Sequence, residues 1–291
     1  MILMTFRRTV PLLLATALAA AGCSAPNDSE PKVVTAFYAL EYATKQVVGP
    51  MAEVTNLTTP GVDAHDLELS PKQVASLADA ELVIYLKGFQ PAVDESIENS
   101  GATRVFDVSE AAHLVSDEDG DVDPHFWLDP ERLADVSDAI ADELAESSEL
   151  DAATLEENAG KMRSAMTEIS GQWEEGLAQC TTSQFVTTHA AFGYLASAFG
   201  LEQVSIMGFS PNEDPSPARI AEIGRYAEDF GITTIFYEPL GSDTLAKTIA
   251  SDLDLKAEAL DPIESASRDG EDYAEIMNSN LEALRSANGC K

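Results

Sequence analysis

Eight short apolar runs, four on each side of a long stretch without them, constrain the fold of this chain more than any other feature. The first four runs lie within residues 32–109 and the last four within residues 184–261, and amphipathic segments separate them. Alternation of strands with helices is typical of parallel sheets that helices cover on both faces. We therefore predict an α/β protein with two lobes, each a mostly parallel four-stranded sheet flanked by helices.

The stretch between the two sets of runs predicts one long helix that joins the lobes. Residues 151–179 carry apolar side chains at helical spacing, namely Leu155, Met162, Met166, Ile169, Trp173 and Leu177. A helix of about 28 residues is roughly 40 Å long. We place the N-terminal lobe at residues 32–148, the linking helix at 149–179 and the C-terminal lobe at 180–291.

The N-terminus has the pattern of an export signal. A basic start, "MILMTFRR", precedes the apolar run "TVPLLLATALAAAG", which predicts a signal peptide over residues 1–22. The sequence Ala20-Ala21-Gly22-Cys23 resembles the bacterial lipoprotein box, in which the cysteine thiol is lipidated. Residues 23–31 then form the lipid anchor and a polar linker. We expect an extracytoplasmic protein, lipid-anchored to the outer face of the cell membrane or periplasmic.

The cysteine count predicts a disulfide. Lipidation of Cys23 leaves two cysteines, Cys180 and Cys290, in an oxidising compartment. Thiols in such a compartment are usually paired. We therefore expect a Cys180–Cys290 disulfide, which fastens the C-terminus to the start of the second lobe.

The strongly acidic composition excludes some classes of partner. The formal net charge is −34 at pH 7, and such a chain is repelled by nucleic acid and by anionic membrane surfaces. We expect no nucleic-acid partner, a membrane contact through the lipid anchor only, and a monomer.

Three of the four histidines and one aspartate follow predicted strands. His65 and His125 come after the second and fourth runs, and "QFVTTH" and "KAEALD" end on His189 and Asp261. Ligands of open α/β sheets bind outside the carboxyl ends of the strands. Neutral imidazoles with one carboxylate suit Zn²⁺ in tetrahedral coordination. The sequence therefore predicts a metal site between the lobes, with no catalytic residues.

Several motifs carry a resemblance to a known family. They are, in chain order, "GVDAHDLELSP", "DPHFWLDP", "VTTHAAFGYLASAFGL", "GFSPNEDPSPARI", "TIFYEPL" and "ALDPIE". Over nearly its whole mature length the chain resembles the cluster A-I solute-binding proteins and lipoproteins of bacterial ABC importers for zinc and manganese, and among them the ZnuA-like branch. The resemblance implies two α/β lobes bridged by a rigid helix, with metal held in the cleft.

The resemblance also implies a ligand set. His65, His125 and His189 match the imidazole positions, and Asp261 matches the carboxylate position. Members that resemble manganese binders tend to have glutamate where this chain has His189, so zinc is favoured over manganese.

Two further acids have expected supporting roles. Asp129 is the nearest candidate to accept the second ring N–H of His125 and so fix its tautomer. Glu238 follows the seventh run and points toward the cleft by position, either behind the ligands or as a ligand in place of Asp261.

We therefore expect capture of Zn²⁺ and its delivery to the transmembrane permease of an ABC zinc importer. Alternatives stay open: manganese or iron capture on the same scaffold, a zinc-dependent hydrolase that uses three histidines and an open position, and an adhesin role. The role of the acidic loop 116–123 is also open.

Overall fold

The computed structural model describes most of the chain beyond its N-terminal segment. The predicted signal peptide, Cys23 and the linker up to residue 30 lie outside the described residues. Those that are described are 31–116, 120–210, 215–240, 243–266 and 270–291. In these ranges no helix combines the length and the apolar character needed to cross a bilayer.

Two parallel four-stranded sheets form the centres of two lobes, as the sequence predicted. The strands are β1 (Lys32–Thr35), β2 (Glu53–Asn56), β3 (Leu82–Tyr85), β4 (Val105–Asp107), β5 (Gln184–Thr187), β6 (Glu202–Ser205), β7 (Thr234–Tyr237) and β8 (Lys256–Ala259). The first sheet has the order β2-β1-β3-β4 and the second β6-β5-β7-β8. All pairings are parallel, so the carboxyl ends of the strands lie at one edge of each sheet.

The central strands are buried on both faces, which explains their sequences. In β1 the residues Val33, Val34 and Thr35 are all buried, and so are the first three residues of β3. Parallel strands covered by helices on both sides read as continuous apolar runs. For this reason "KVVT" and "LVIY" show no alternation of polar and apolar residues.

The helices begin at signals that the sequence carries. The longer ones are α1 (Tyr38–Val48), α2 (Pro71–Asp79), α3 (Pro91–Ser100), α4 (Pro130–Ser147), α5 (Ala152–Leu177), α6 (Gly193–Phe199), α7 (Pro217–Phe230), α8 (Asp243–Asp252) and α9 (Tyr273–Asn288). Ser70 and Ser216 cap α2 and α7, each followed by a proline at the first helical position. A side-chain oxygen at this place satisfies a free backbone N–H, and proline has no N–H to leave unpaired.

The predicted linking helix is α5, which contains 26 residues and is about 39 Å long. It packs against α1 and α4 of the first lobe and against α6 and α9 of the second lobe. The limits of the two lobes stay a prediction.

A hydrophobic core runs through both lobes along α5. It includes Phe37 of the first lobe, Met166 and Trp173 of α5, and Phe185 and Tyr273 of the second lobe, all of them buried. Because interiors are close-packed, a shared core resists relative displacement of the elements that line it. The packing along α5 therefore holds the two lobes together.

The predicted disulfide joins Cys180 and Cys290. It links the segment after α5 to the C-terminal end of α9. Backbone hydrogen bonds from Thr181 N–H to Asn288 C=O (2.9 Å) and from Lys291 N–H to Gln179 C=O (3.0 Å) hold the same two segments together.

Replacing both cysteines by serine should lower the free energy of unfolding without changing the fold. The bridge closes a separation of 110 residues, which corresponds to about 4–5 kcal/mol in the chain-entropy description. Urea unfolding of the metal-free protein, followed by circular dichroism, measures the difference. An unfolding midpoint equal to that of the parent protein would contradict the prediction.

Candidate metal centre

Four side chains from the ends of four strands meet in the cleft between the lobes. His65 lies in the loop after β2, and His125 precedes a short 3₁₀ turn (Phe126–Leu128) that leads into α4. His189 lies just beyond the end of β5, and Glu264 follows β8. Each residue offers one ligand atom, and these four atoms lie within 4.8 Å of one another.

The separations among the four atoms match tetrahedral coordination. The Nε2 atom of His125 lies 3.3 Å from His65 Nε2 and 3.4 Å from His189 Nε2. Glu264 Oε1 lies 3.4, 3.3 and 3.5 Å from the Nε2 atoms of His65, His125 and His189. Ligand atoms about 2.0–2.1 Å from one zinc ion at tetrahedral angles are roughly 3.3–3.4 Å apart. Five of the six separations therefore lie within about 0.1 Å of those in a tetrahedral zinc site.

Three of the four cluster residues are buried, and the fourth, His65, is slightly exposed. His125 and His189 are fully buried, Glu264 is 3% exposed, and the His65 side chain is 11% exposed. Within the described part of the chain, Glu264 Oε1 is buried and makes no hydrogen bond. Buried polar oxygens are rarely left unsatisfied. A carboxylate oxygen that faces three imidazole nitrogens without a hydrogen bond fits a bound cation.

Carboxylates behind two of the imidazoles orient them. His125 Nδ1 lies 2.8 Å from Asp123 Oδ1, and His189 Nδ1 bonds to Glu238 Oε1. When Nδ1 donates to a carboxylate, the lone pair of Nε2 is directed into the cluster, and the ring is made a more basic ligand. The structure thus places Glu238 on the Nδ1 side of His189, outside the set of four atoms in the cluster.

Asp129 does not take the role expected for it beside His125. Its side chain accepts a hydrogen bond from Glu131 N–H at the start of α4 (3.0 Å) and pairs with Arg132 Nε (3.2 Å). The partner of His125 is instead Asp123, which also accepts the backbone N–H of His125 (3.0 Å). The signal in the sequence is the Asp-Pro-His order, since an aspartate often accepts the N–H two residues later.

The carboxylate in the cluster is Glu264, and the expectation for Asp261 is corrected accordingly. Asp261 Oδ1 accepts the N–H of Ile263 (2.8 Å), while Asn280 bonds both the N–H and the C=O of Asp261. The aspartate is therefore used to shape the turn after β8, and this turn carries the chain forward to Glu264. The motif "ALDPIE" contains both Asp261 and Glu264. The prediction chose Asp261 as the carboxylate because it lies nearer the end of the strand.

The imidazoles and the carboxylate shift each other's pKa. Burial disfavours protonation of His189, but its bond to Glu238 and the nearby carboxylate of Glu264 outweigh burial and raise the pKa to about 10. Burial also opposes protonation of His125, and Asp123 and Glu264 raise its pKa above the ordinary value. Burial would raise the pKa of Glu264, yet the three imidazoles hold it well below the usual range. Without metal, the centre at neutral pH therefore holds the ionised carboxylate of Glu264 beside a protonated His189.

A cavity of about 1210 Å³ opens onto the cluster from the side of His65. Its walls include Phe89 and Phe209, and two basic residues, Lys87 and Arg219, also line it. The fourth histidine, His113, takes no part in the cluster. It is exposed and lies 3.8 Å from Asp135.

A two-lobed binding protein with a His₃Glu cluster in its cleft is the class that the fold and these distances define. The chain belongs to the ZnuA family, described as "Zinc-uptake complex component A periplasmic", whose family model matches residues 33–287.

Relatives of known name support this membership. The chain is 33% identical over 303 residues to the "Zinc-binding lipoprotein AdcA" of Streptococcus pneumoniae R6, an alignment that covers 96% of the chain and 60% of the relative. The chain thus spans about three fifths of the length of the AdcA proteins it matches. It is also 30% identical over 275 residues to the "High-affinity zinc uptake system protein ZnuA" of Bacillus subtilis 168, covering 87% of the chain and 86% of the relative.

Solved structures of similar proteins have the same fold. The crystal structure of Zn(II)-bound AdcA from Streptococcus pneumoniae has a TM-score of 0.77 and 33% identity, covering 89% of this chain and 58% of that one. The laminin-binding protein Lmb of Streptococcus agalactiae, described as having adhesin and metal transporting activity, has a TM-score of 0.82 and 30% identity. Its match covers 88% of this chain and 98% of that one.

Glu238→Gln should lower the pKa of His189 from about 10 toward the ordinary 6.5. The amide keeps an oxygen that accepts from Nδ1 but removes the charge that stabilises the imidazolium. NMR titration of the metal-free protein measures this pKa. The exposed Glu228→Gln on α7 is the control and should leave it unchanged. If His189 had the same pKa in both variants, Glu238 would not be the group that raises the pKa of His189.

Proposed function

We propose that this protein binds Zn²⁺ as cargo in the interlobe cleft and delivers it to the permease of an ABC importer. The observation that carries the proposal is the set of three imidazole nitrogens and one carboxylate oxygen that lie within 4.8 Å of one another in the cleft. The family membership and the names of the relatives point the same way. His65, His125, His189 and Glu264 are the proposed ligands.

The donor chemistry favours zinc over manganese or iron. Three of the four donors are imidazole nitrogens, whereas divalent manganese prefers carboxylate, carbonyl and water oxygens. Four donors, with five of their six separations at 3.3–3.5 Å, also fit four-coordination better than the six-coordinate oxygen shell of a harder cation. Manganese capture remains the alternative on this scaffold.

The same geometry argues for binding instead of catalysis. A catalytic zinc ion keeps one coordination position for water or substrate, with three protein ligands. Here a fourth protein donor, Glu264 Oε1, lies 3.3–3.5 Å from the Nε2 atom of each of the three imidazoles, the spacing of donors that share one ion. A site filled by four protein donors holds its ion and leaves no position for an attacking water.

We further propose an extracytoplasmic location with the lipid on Cys23. The lipoprotein box and the name of the Streptococcus pneumoniae relative support this placement. The negative charge of the chain raises the local concentration of cations at its surface. The exposed His65 edge of the cluster and the cavity beside it give such a cation a path to the site.

Calorimetric titration of the metal-free protein tests the proposal. One Zn²⁺ should bind per chain, and an equal concentration of Mn²⁺ should not displace it. Displacement of zinc by manganese would favour the alternative, and failure of the parent protein to bind zinc at all would refute the proposal.

Glu264→Gln should weaken zinc binding about 10–100-fold, and Asp261→Asn should have a much smaller effect. The glutamine keeps an oxygen donor but loses the charge that attracts the cation. The asparagine retains an Oδ1 that can accept the N–H of Ile263, so it preserves the turn. Competition with a chromophoric chelator measures both affinities. A larger loss in Asp261→Asn would reverse the assignment of the fourth ligand.

Zinc binding should release protons, and its apparent affinity should fall as the pH falls. At pH 7 His189, with a pKa of about 10, carries a proton that zinc must displace, and the raised pKa of His125 makes protons compete for that imidazole as well. Each displaced proton weakens apparent affinity roughly tenfold per pH unit below the relevant pKa. Calorimetry in buffers of different ionisation enthalpy counts the protons. An affinity that is constant between pH 5 and pH 8 would contradict the ligand set.

A further inference from the structure

A buried indole joins the two segments that carry His125 and Glu264. Trp127 lies two residues after His125 and is fully buried. Its Nε1–H donates to the carbonyl oxygen of Pro262, 2.7 Å away in the other lobe. Pro262 in turn lies two residues before Glu264. A single hydrogen bond therefore spans the cleft between two of the four cluster residues.

A second bond crosses at the same residue in the opposite direction. The Oη–H of Tyr273, the first residue of α9, donates to the backbone carbonyl oxygen of Trp127 (2.6 Å). Tyr273 is also fully buried. The backbone and the side chain of Trp127 are thus both bonded to the second lobe, and the turn that presents His125 is fixed from two directions.

The segment that receives the indole bond needs external support. Ile263 has φ of +56°, a left-handed conformation that is costly for a β-branched residue. The turn is held by Asp261 Oδ1 on Ile263 N–H and by Asn280 on the backbone of Asp261. The carbonyl oxygen of Pro262, the next residue after Asp261, accepts the hydrogen bond from the indole of Trp127. Such a strained backbone conformation persists only where several surrounding contacts fix it.

The ring of Trp127 also packs behind the imidazole of His125. The two ring centres are 5.4 Å apart in an edge-to-face arrangement. Phe37 and Phe89 pack against the same indole with centroids 4.8 and 5.5 Å away. Because the aromatic cluster fixes the ring plane, the Nε1–H direction is fixed as well.

We propose that Trp127 is a positioning residue for metal binding. Its indole N–H sets the 3.3 Å separation of His125 Nε2 and Glu264 Oε1 before the metal arrives, so that two ligands from different lobes are pre-organised. The proposal rests on the zinc-binding function above. It predicts that loss of the indole bond weakens zinc binding through ligand geometry, apart from any loss of fold stability.

Trp127→Phe removes the N–H and keeps an aromatic ring, and Trp173→Phe is the matched control. Trp173 lies on α5, is fully buried, and stacks on Phe199 with centroids 5.1 Å apart. Its Nε1 has no hydrogen-bond partner among the residues that the structure describes. Both variants therefore lose one buried indole, but only the first loses a bond between the lobes.

Zinc affinity should fall about 10–100-fold in Trp127→Phe and stay within about twofold in Trp173→Phe. Cobalt(II) loaded in place of zinc should show weaker or shifted visible absorption in Trp127→Phe only, because these bands report tetrahedral geometry. Thermal unfolding of the metal-free variants measures stability separately. Equal affinity and equal cobalt spectra in the two variants would overturn the proposal. Zinc binding by the parent protein separates this outcome from failure of the proposed function.

Hydrogen exchange in the parent protein gives a test that does not depend on a variant folding. The chain has two tryptophans, so Trp173→Phe assigns both indole N–H resonances. In the metal-free protein the Trp127 indole N–H should already be protected from exchange, and zinc should change this protection little. Rapid exchange that slows only when zinc binds would mean that the bond forms with the metal, and the proposal of pre-organisation would be wrong.

Discussion

The ionised carboxylate of Glu264, buried among three imidazoles, is the interaction on which the site depends. A buried charge is costly unless a neighbouring charge compensates it. Here the compensating charge is exchangeable: without metal the proton on His189 supplies positive charge, and a divalent cation displaces it. The raised pKa of His189, about 10, and the depressed pKa of Glu264 are two expressions of this balance. Metal binding at this centre therefore exchanges bound protons for a divalent cation.

This exchange requires a frame that keeps the four donors together in both states. The donors come from loops after β2, β4, β5 and β8, far apart in the chain, so no local segment can assemble them. The frame consists of the core that α5 shares with both lobes, the disulfide at the C-terminus and the bonds of Trp127 across the cleft. Ordering of ligands during folding means that less of the binding free energy is lost at the moment of binding.

The sequence predicted the frame better than the details of the centre. All eight strands and the helix of α5 follow from apolar periodicity, which is a local property. Strand ends also located His65, His125 and His189. The errors concern acids: Asp261 and Asp129 stand at the expected places but satisfy backbone N–H groups, while Glu264 and Asp123 face the imidazoles. The exchange of Asp261 for Glu264 depends on the left-handed turn at Ile263, and a β-branched residue gives no local signal for it.

The acidity of the chain and the selectivity of the site are separate properties. A net charge of −34 attracts any cation and speeds its arrival, but it distinguishes poorly between zinc and the more abundant harder cations. Discrimination is possible only where water is excluded and donor type decides, which is the buried cluster of nitrogen donors. The acids that support it, Asp123 and Glu238, lie behind the imidazoles and strengthen nitrogen donors without adding oxygen ligands. Extra carboxylates placed within the cluster itself would have increased attraction while shifting preference toward oxygen-seeking ions.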